Sequence, residues 1–222
     1  MKRVMVAAPS YDGTITVWHA SSLTETCKMG LTKDINVFCI YMSYDALVQR
    51  ARNDIVQLAI DNEVDELVFI DCDIDWDPND FFKLLEHDVD IVGATYPKKG
   101  DDETYPIKIK DGIKGWTGVD EKGLVEIEGI GTGFLKISKK ALKEIYESCE
   151  EYTEPHKEKP IKMVFDIKIQ NGELVSEDIS FCDKWRDLGG KIYLDPSIDL
   201  SHVGTKRWTG NFLSWVERIK EQ

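Results

Sequence analysis

No stretch of the 222-residue chain approaches the ~18 consecutive apolar residues that a membrane-spanning helix needs, so no membrane insertion is expected. The apolar segment after Met1-Lys2-Arg3 stops at Pro9, too short for a signal peptide. A cytoplasmic location is the resulting expectation, in the host cytoplasm if the source is viral or phage. Cysteine forms no pattern: Cys27, Cys39, Cys72, Cys149 and Cys182 are odd in number and make no CxxC pair. That argues against a structural zinc site and against a disulfide framework, and leaves buried free thiols. Positive charge is scarce, with 28 Lys and Arg against 41 Asp and Glu, a formal charge of −13. Such a surface disfavours non-specific nucleic-acid binding, whose affinity comes from neutralising phosphates. It suits a protein that recruits a divalent cation. Repeats, low-complexity tracts and Pro/Gly-rich linkers are also missing, so one domain over residues 1–222 is expected. No Gly-rich phosphate loop with a basic residue follows the first strand, which disfavours a nucleotidyltransferase.

What is present is alternation. Residues 4–8 read as a strand stopped by Pro9, followed by loop to about residue 20 and a short helix over residues 22–29. Residues 35–41, β-branched and aromatic, read as a second strand. Leu47, Ala51, Ile55, Leu58 and Ala59 fall on one helical face, with Asp45 near its positive end. Residues 67–70 form an apolar run typical of a strand buried on both faces. Asp77-Pro78 supplies an N-cap and a first-turn proline, and residues 90–94 return as a strand. This is the pattern of a mainly parallel α/β sheet. The second half reads as strands over 105–110, 124–127 and 134–137, then a helix capped by Ser138 and ending near Cys149. Asn171-Gly172 marks a turn between strands. Ser176 caps a helix to Leu188 stopped by Gly189-Gly190, then come a strand over 191–194 and a last helix from about Gly210. Residues 148–162, rich in Glu and Lys, read as a mobile loop.

The strongest chemical signal is Phe69-Ile70-Asp71-Cys72-Asp73-Ile74-Asp75. Ligands of open α/β sheets bind beyond the carboxyl ends of the strands. Here a buried strand delivers two or three carboxylates to that edge, and two acids one residue apart can share a hard cation that binds nucleotide phosphates. The bland alternative is a solvated acidic loop before a helix. An EF-hand fails, because its glycine would fall at Trp76 and its last glutamate at Phe82. A haloacid-dehalogenase-type phosphatase is a weak rival, since its acidic pair follows the first strand and here it follows the third.

The strand ending in Pro9, Ala51-Arg52-Asn53, Asp71-Cys72-Asp73, Asp90-Ile91-Val92-Gly93-Ala94-x-Tyr96, Gly131-Thr132-Gly133-Phe134, Ser176-Glu177-Asp178 and Ser201-His202-Val203-Gly204 occur in that order. As a set they resemble small GT-A glycosyltransferases of bacterial, viral and phage type. The resemblance implies a GT-A-like single domain: a mainly parallel nucleotide-sugar half over about residues 1–100, then a mixed acceptor and catalytic half over about 101–222. It implies transfer of a sugar from a nucleoside-diphosphate sugar, most simply a UDP-sugar, with Mn²⁺ or Mg²⁺. In such enzymes Pro9, Ser10 and Tyr11 would cradle the base and ribose, Arg52 would reach the nucleotide, and Asp71 would face ribose and metal. Asp73 and His202 would ligate the metal. Lys206, with Arg207, would hold the departing diphosphate. Asp178, with Glu177 as neighbour, matches the base of inverting members, against the alternative of plain helix capping. Gly131-Thr132-Gly133 reads equally as a strand-flanking turn.

The acceptor is a hydroxyl compound, a saccharide first, with Tyr96, Lys98 and Trp116 as weak candidates for contacting it. Trp116 stands between Gly115 and Gly118, where it could stack on a sugar. Lys98, Lys99, Lys108, Lys110 and Lys114 are the one extended basic group beside the expected cleft, which keeps hydroxymethylated bases of phage DNA as an alternative acceptor. A non-catalytic sugar-nucleotide-binding protein is the other alternative.

Overall fold

The computed structural model describes residues 1–110, 112–113, 116–155, 157 and 159–221. The first half runs β1 (Lys2–Ser10), α1 (Val17–Thr32), β2 (Ile35–Ser43), α2 (Val48–Asp61), β3 (Glu66–Ile70), β4 (Ile74–Asp75), α3 (Pro78–Glu86) and β5 (Ile91–Gly93). Then come β6 (Ile107–Lys108), β7 (Val125–Ile127), β8 (Gly129–Ile130), β9 (Phe134–Ser138), α4 (Lys139–Ser148), β10 (Glu151–Tyr152) and β11 (Ile161–Lys162). The chain closes with β12 (Lys168–Gln170), β13 (Glu173–Val175), α5 (Glu177–Asp187), β14 (Ile192–Leu194), β15 (Ser201–Val203), β16 (Arg207–Thr209) and α6 (Phe212–Lys220).

Seven strands form one sheet in the order β2-β1-β3-β9-β5-β14-β7. The β1–β2, β1–β3 and β5–β14 pairs are parallel, whereas β9 enters antiparallel between β3 and β5, and β7 runs antiparallel at the edge. This is the α/β, GT-A-like architecture expected, with the later strands completing the sheet begun by the first half. Alternate residues of β1 serve opposite cores. Met5 and Ala7 join Ile55, Ala59, Phe69 and Leu142 on one face. Val4 and Val6 join Leu23, Ile70, Phe81 and Leu84 on the other. Both faces of β3 are therefore covered, which is why it reads as an unbroken apolar run.

Several boundaries differ from expectation for physical reasons. Pro9 does not stop β1, because Pro9 and Ser10 continue the parallel pairing opposite Met42 and Ser43. Helix α1 begins at Val17, ahead of the expected residue 22, with the Thr16 hydroxyl accepting from the His19 amide. Its buried face is His19, Ser22, Leu23, Thr26 and Gly30, too polar to register as a stripe, while Val17 and Trp18 face solvent. In α2 the expected Leu47 is the exposed cap, and Arg52, Asn53 and Val56 are buried beside Ala51, Ile55 and Ala59. Residues 148–162 were expected as a loop. Their described part contains the β10–β11 ribbon, and Lys157 pairs with Asp54 of α2 and with Glu154. Asp77, Ser138 and the Asn171-Gly172 turn sit where the sequence puts them.

Candidate functional site

The carboxyl ends of β1 and β3 open onto a cleft of about 470 Å³. Pro9, Ser10, Tyr11, Arg52, Asp71, Asp73 and His202 all line it. The loop after β1 folds back on itself: the Ser10 hydroxyl donates to the Thr14 carbonyl (2.8 Å), and Asp12 accepts from the Thr14 amide (3.0 Å) and hydroxyl (2.7 Å). The two strand ends are tied together. The Cys72 thiol donates to the Pro9 carbonyl (3.4 Å), and the Thr16 amide donates to the Cys72 carbonyl (3.0 Å). Beneath them His19, fully buried, contacts the Asp71 carbonyl through Nδ1 (3.1 Å) and the Tyr41 hydroxyl through Nε2 (2.8 Å). With Nδ1–H donating, Nε2 accepts from Tyr41. Burial holds the His19 pKa below its ordinary value.

Arg52 occupies the back of the cleft with 7% of its side chain exposed. Its Nη1 donates to Glu177 of α5, and its Nη2 lies 3.5 Å from Asp71 Oδ1. One guanidinium thus joins the end of β3 to the start of α5. Its Nε is buried without a partner among the described residues. Burial pushes the Asp71 carboxyl above the usual carboxylate range, with Arg52 pulling the other way and Asp73 adding to the rise.

Asp73 and His202 meet because β15 pairs antiparallel with β4, setting His202 opposite Ile74, and the Val203 amide donates to the Asp73 carbonyl (2.8 Å). His202 Nε2 stands 3.4 Å from Asp73 Oδ2. Its Nδ1 lies 3.0 Å from the Pro97 carbonyl, and donation there orients the ring; Nε2 would offer a lone pair to a cation only after giving up the proton it shares with Asp73. Lys99 Nζ also donates to Asp73 Oδ2. Burial would raise the Asp73 pKa, but the His202 and Lys99 hydrogen bonds outweigh it and hold the carboxyl below its ordinary value. Among the described residues no three His, Cys, Asp or Glu side chains converge on one point. Asp73 and His202 could offer two ligands, a set that would suit a divalent cation completing its coordination with oxygens of a bound ligand and water better than a closed protein site. The third acid, Asp75, points elsewhere, accepting from Ser22 (2.9 Å) and Arg207.

Tyr96 explains the Gly131-Thr132-Gly133 segment. A Cβ on Gly133 would stand 2.5 Å from the Tyr96 ring, so only glycine permits the approach. The Gly133 carbonyl accepts from the Asp71 amide (3.1 Å). Tyr96 lies edge-on to His202 with centroids 5.1 Å apart. Burial raises its phenol pKa well above the ordinary value, and the charges of Asp71, Arg52, Asp178 and Asp73 all act on it. Asp178 spends Oδ1 on the Ser176 hydroxyl and the Ile179 amide (2.8 Å); Oδ2 has no hydrogen bond among the described residues. Ser176 occupies the cap position of α5, yet its hydroxyl serves Asp178 in place of a backbone amide.

Not every expected residue joins the cleft. Tyr96, Glu177 and Asp178 stand outside the lining, Glu177 touching it through Arg52; Lys206 lies over the Trp208 ring (5.1 Å) and Arg207 pairs with Asp75, both also outside. Trp116 is 9% exposed, packs near Phe212 and borders a separate depression with Lys110. Lys98 is exposed and does not line the cleft; Lys108 sits 3.8 Å from Glu128. Lys114 and Gly115 lie outside the described residues. Sequence reasoning passed over Asp12, His19 and Lys99's contact with Asp73, and it gave Asp45 only a helix role. Asp45 lines the cleft and its pKa is held low by the Arg50 side chain. The one available signal was position, since Asp12 and Asp45 follow β1 and β2 at the edge where β3 delivers Asp71.

No protein-family model and no curated protein matches the chain. Among solved structures the chain is similar to A197 from STIV, with a TM-score of 0.58 at 17% identity, over 95% of this chain and 90% of that one. It also has a partial likeness to a glycosyltransferase involved in glycosylation of the major capsid of PBCV-1, with a TM-score of 0.34 and 14% identity over 63% and 62% of the two chains. The first likeness speaks for the fold; the second carries no argument.

Proposed function

We propose that the chain is a nucleotide-sugar-dependent glycosyltransferase that moves a sugar, most simply from a UDP-sugar, to a hydroxyl acceptor. The observation that carries this reading is the convergence of Pro9, Ser10, Tyr11, Asp71, Asp73 and His202, from three separate segments, on one cleft at the carboxyl edge of the sheet. Tyr11 lines the cleft and is 74% exposed, so its ring would be open to the base, and Ser10 beside it would meet the ribose. Asp73 and His202 would hold Mn²⁺ or Mg²⁺, the imidazole favouring Mn²⁺. The cation would supply charge stabilisation for the departing diphosphate.

Asp178 acts as the general base. Its free Oδ2 takes the proton of the acceptor hydroxyl, whose oxygen attacks the anomeric carbon as the carbon–oxygen bond to the diphosphate breaks. The electron pair leaves on the diphosphate, which Lys206 would meet only by leaving the Trp208 ring. Arg52 serves as a positioning residue between Asp71 and Glu177, in addition to any contact with the nucleotide. Tyr96 backs His202, and a saccharide is the acceptor that best suits a surface of net charge −13.

The deciding experiment is UDP release from a panel of UDP-sugars with Mn²⁺, with water and with saccharide acceptors. Release that depends on the sugar nucleotide and on the divalent cation is expected. Tight binding of the nucleotide sugar with no turnover under any condition would refute catalysis and leave a binding protein. Transfer to hydroxymethyl-pyrimidine DNA and to no glycan would move the acceptor to DNA.

A further inference from the structure

The segment carrying Lys99 is anchored on both sides of that residue. The Pro97 carbonyl faces His202 Nδ1 at 3.0 Å, and the Gly100 carbonyl accepts from Trp208 Nε1 at 2.8 Å. Between these anchors the Lys99 stem passes over Gly204, where an added Cβ would lie 3.4 Å from its Cδ and Cε. That is ordinary van der Waals contact, so the stem is not wedged in place. Its hydrogen bond to Asp73 is the side chain's one polar contact among the described residues, and the ammonium can turn by side-chain rotation with its backbone fixed. Lys99 Nζ rests on Asp73 Oδ2, the same oxygen that faces His202 Nε2.

We propose that Lys99 is the resident counter-cation of this carboxylate, and that it makes binding of a divalent cation conditional on the donor's diphosphate. The inference rests on the reading of Asp73 and His202 as a divalent-cation pair. Charge decides the behaviour. Asp73 and Lys99 together are neutral, so a dication arriving alone must displace an ammonium from its carboxylate and then stand beside it. A dication arriving with a diphosphate brings the negative charge that the displaced ammonium needs. Lys99 then turns from Asp73 to a phosphate oxygen, and each ligand binds its own site more tightly when the other is present. The shortage of protein ligands points the same way, because two side chains hold a hard cation weakly without phosphate oxygens.

Mn²⁺ binding to the full chain, read from the electron paramagnetic resonance of free Mn²⁺, tests this with and without UDP. Wild type is expected to bind Mn²⁺ weakly alone and more tightly with UDP. Lys99→Met should bind Mn²⁺ alone about two- to fivefold more tightly, the competition a partly exposed ion pair can exert, and should lose much of the enhancement by UDP. Lys99→Arg should keep the wild-type pattern. Equal Mn²⁺ affinity in wild type and Lys99→Met, alone and with UDP, overturns the proposal. If Asp73→Asn abolishes Mn²⁺ binding in that case, the metal reading survives without it. If none of the chains binds Mn²⁺ even with UDP, both fall.

Discussion

Arg52 gives a prediction that needs no substrate. Its guanidinium is 7% exposed and faces two carboxylates, Glu177 with 14% of its side chain exposed and Asp71 with 30%. Replacing it by Met keeps the volume and removes the charge. Glu177 is then left buried without a counter-ion, and removing one partner of a buried pair typically costs about 3–5 kcal/mol. Asp71 adds less, because its open side can take up water. For a chain of this length each kcal/mol moves the melting temperature by roughly 2–4 °C, so Arg52→Met should melt about 6–20 °C lower. Glu177→Gln removes the other charge and keeps an acceptor for Arg52, so its cost should be smaller. The double variant leaves no stranded charge there and should be more stable than the sum of the single losses predicts, with a coupling of about 1–3 kcal/mol. Urea denaturation followed by tryptophan fluorescence measures all four chains. Additivity within about 0.5 kcal/mol would refute the bridge, and an Arg52→Met chain as stable as wild type would return Arg52 to a purely ligand-facing role.

Three further outcomes are expected. Asp73→Asn should remove the dependence of UDP binding on Mn²⁺, measured by calorimetry; full turnover in excess EDTA would contradict the metal assignment. Asp178→Asn should lower turnover by roughly 10²–10⁴-fold with little change in donor affinity. A parallel fall in both, or retention of the anomeric configuration in the product, would leave Asp178 a helix-capping residue. His19 is buried with its pKa below the ordinary 6.5, so the unfolded chain takes up a proton that the folded chain refuses. Stability should therefore fall as pH drops through 6.5 toward the folded value, and His19→Gln should flatten that slope in melting curves between pH 7 and 5; an unchanged slope would assign it to another group.

The parts of the fold that were legible share one property: their side chains repeat with the period of their backbone. β3 is apolar throughout because both faces are covered, and Asp77-Pro78 announces α3 by cap chemistry alone. Helix α1 has neither signal. Its inward residues include His19, Ser22 and Thr26, each hydrogen-bonded to a neighbour, so the polar pattern that hid the helix's true extent beyond residues 22–29 also ties it to Asp71 and Asp75. Trp116 misled in the opposite sense, since flanking glycine suggested an open stacking face whereas the ring packs near Phe212.

The candidate site was legible in residue type and order, and illegible in its connections. β4, β15 and β16 are two or three residues long, too short for any periodicity, yet their pairing is what brings His202 to Asp73. Arg52 and Glu177 are 125 residues apart in sequence and meet through one ion pair. The first contact joins the middle of β15 to the turn after β3, and the second joins α2 to the first residue of α5. In both, side chains link segments that no sequence period connects. Asp71, Asp73 and Arg52 therefore carry a structural load that ligand binding must redistribute. On the proposed function, Lys99 would have to leave Asp73 for a cation to enter, and Arg52 would reach a nucleotide by loosening its hold on Asp71 or Glu177. Charges internally paired in this way would couple donor binding to motion at the start of α5, where Asp178 stands.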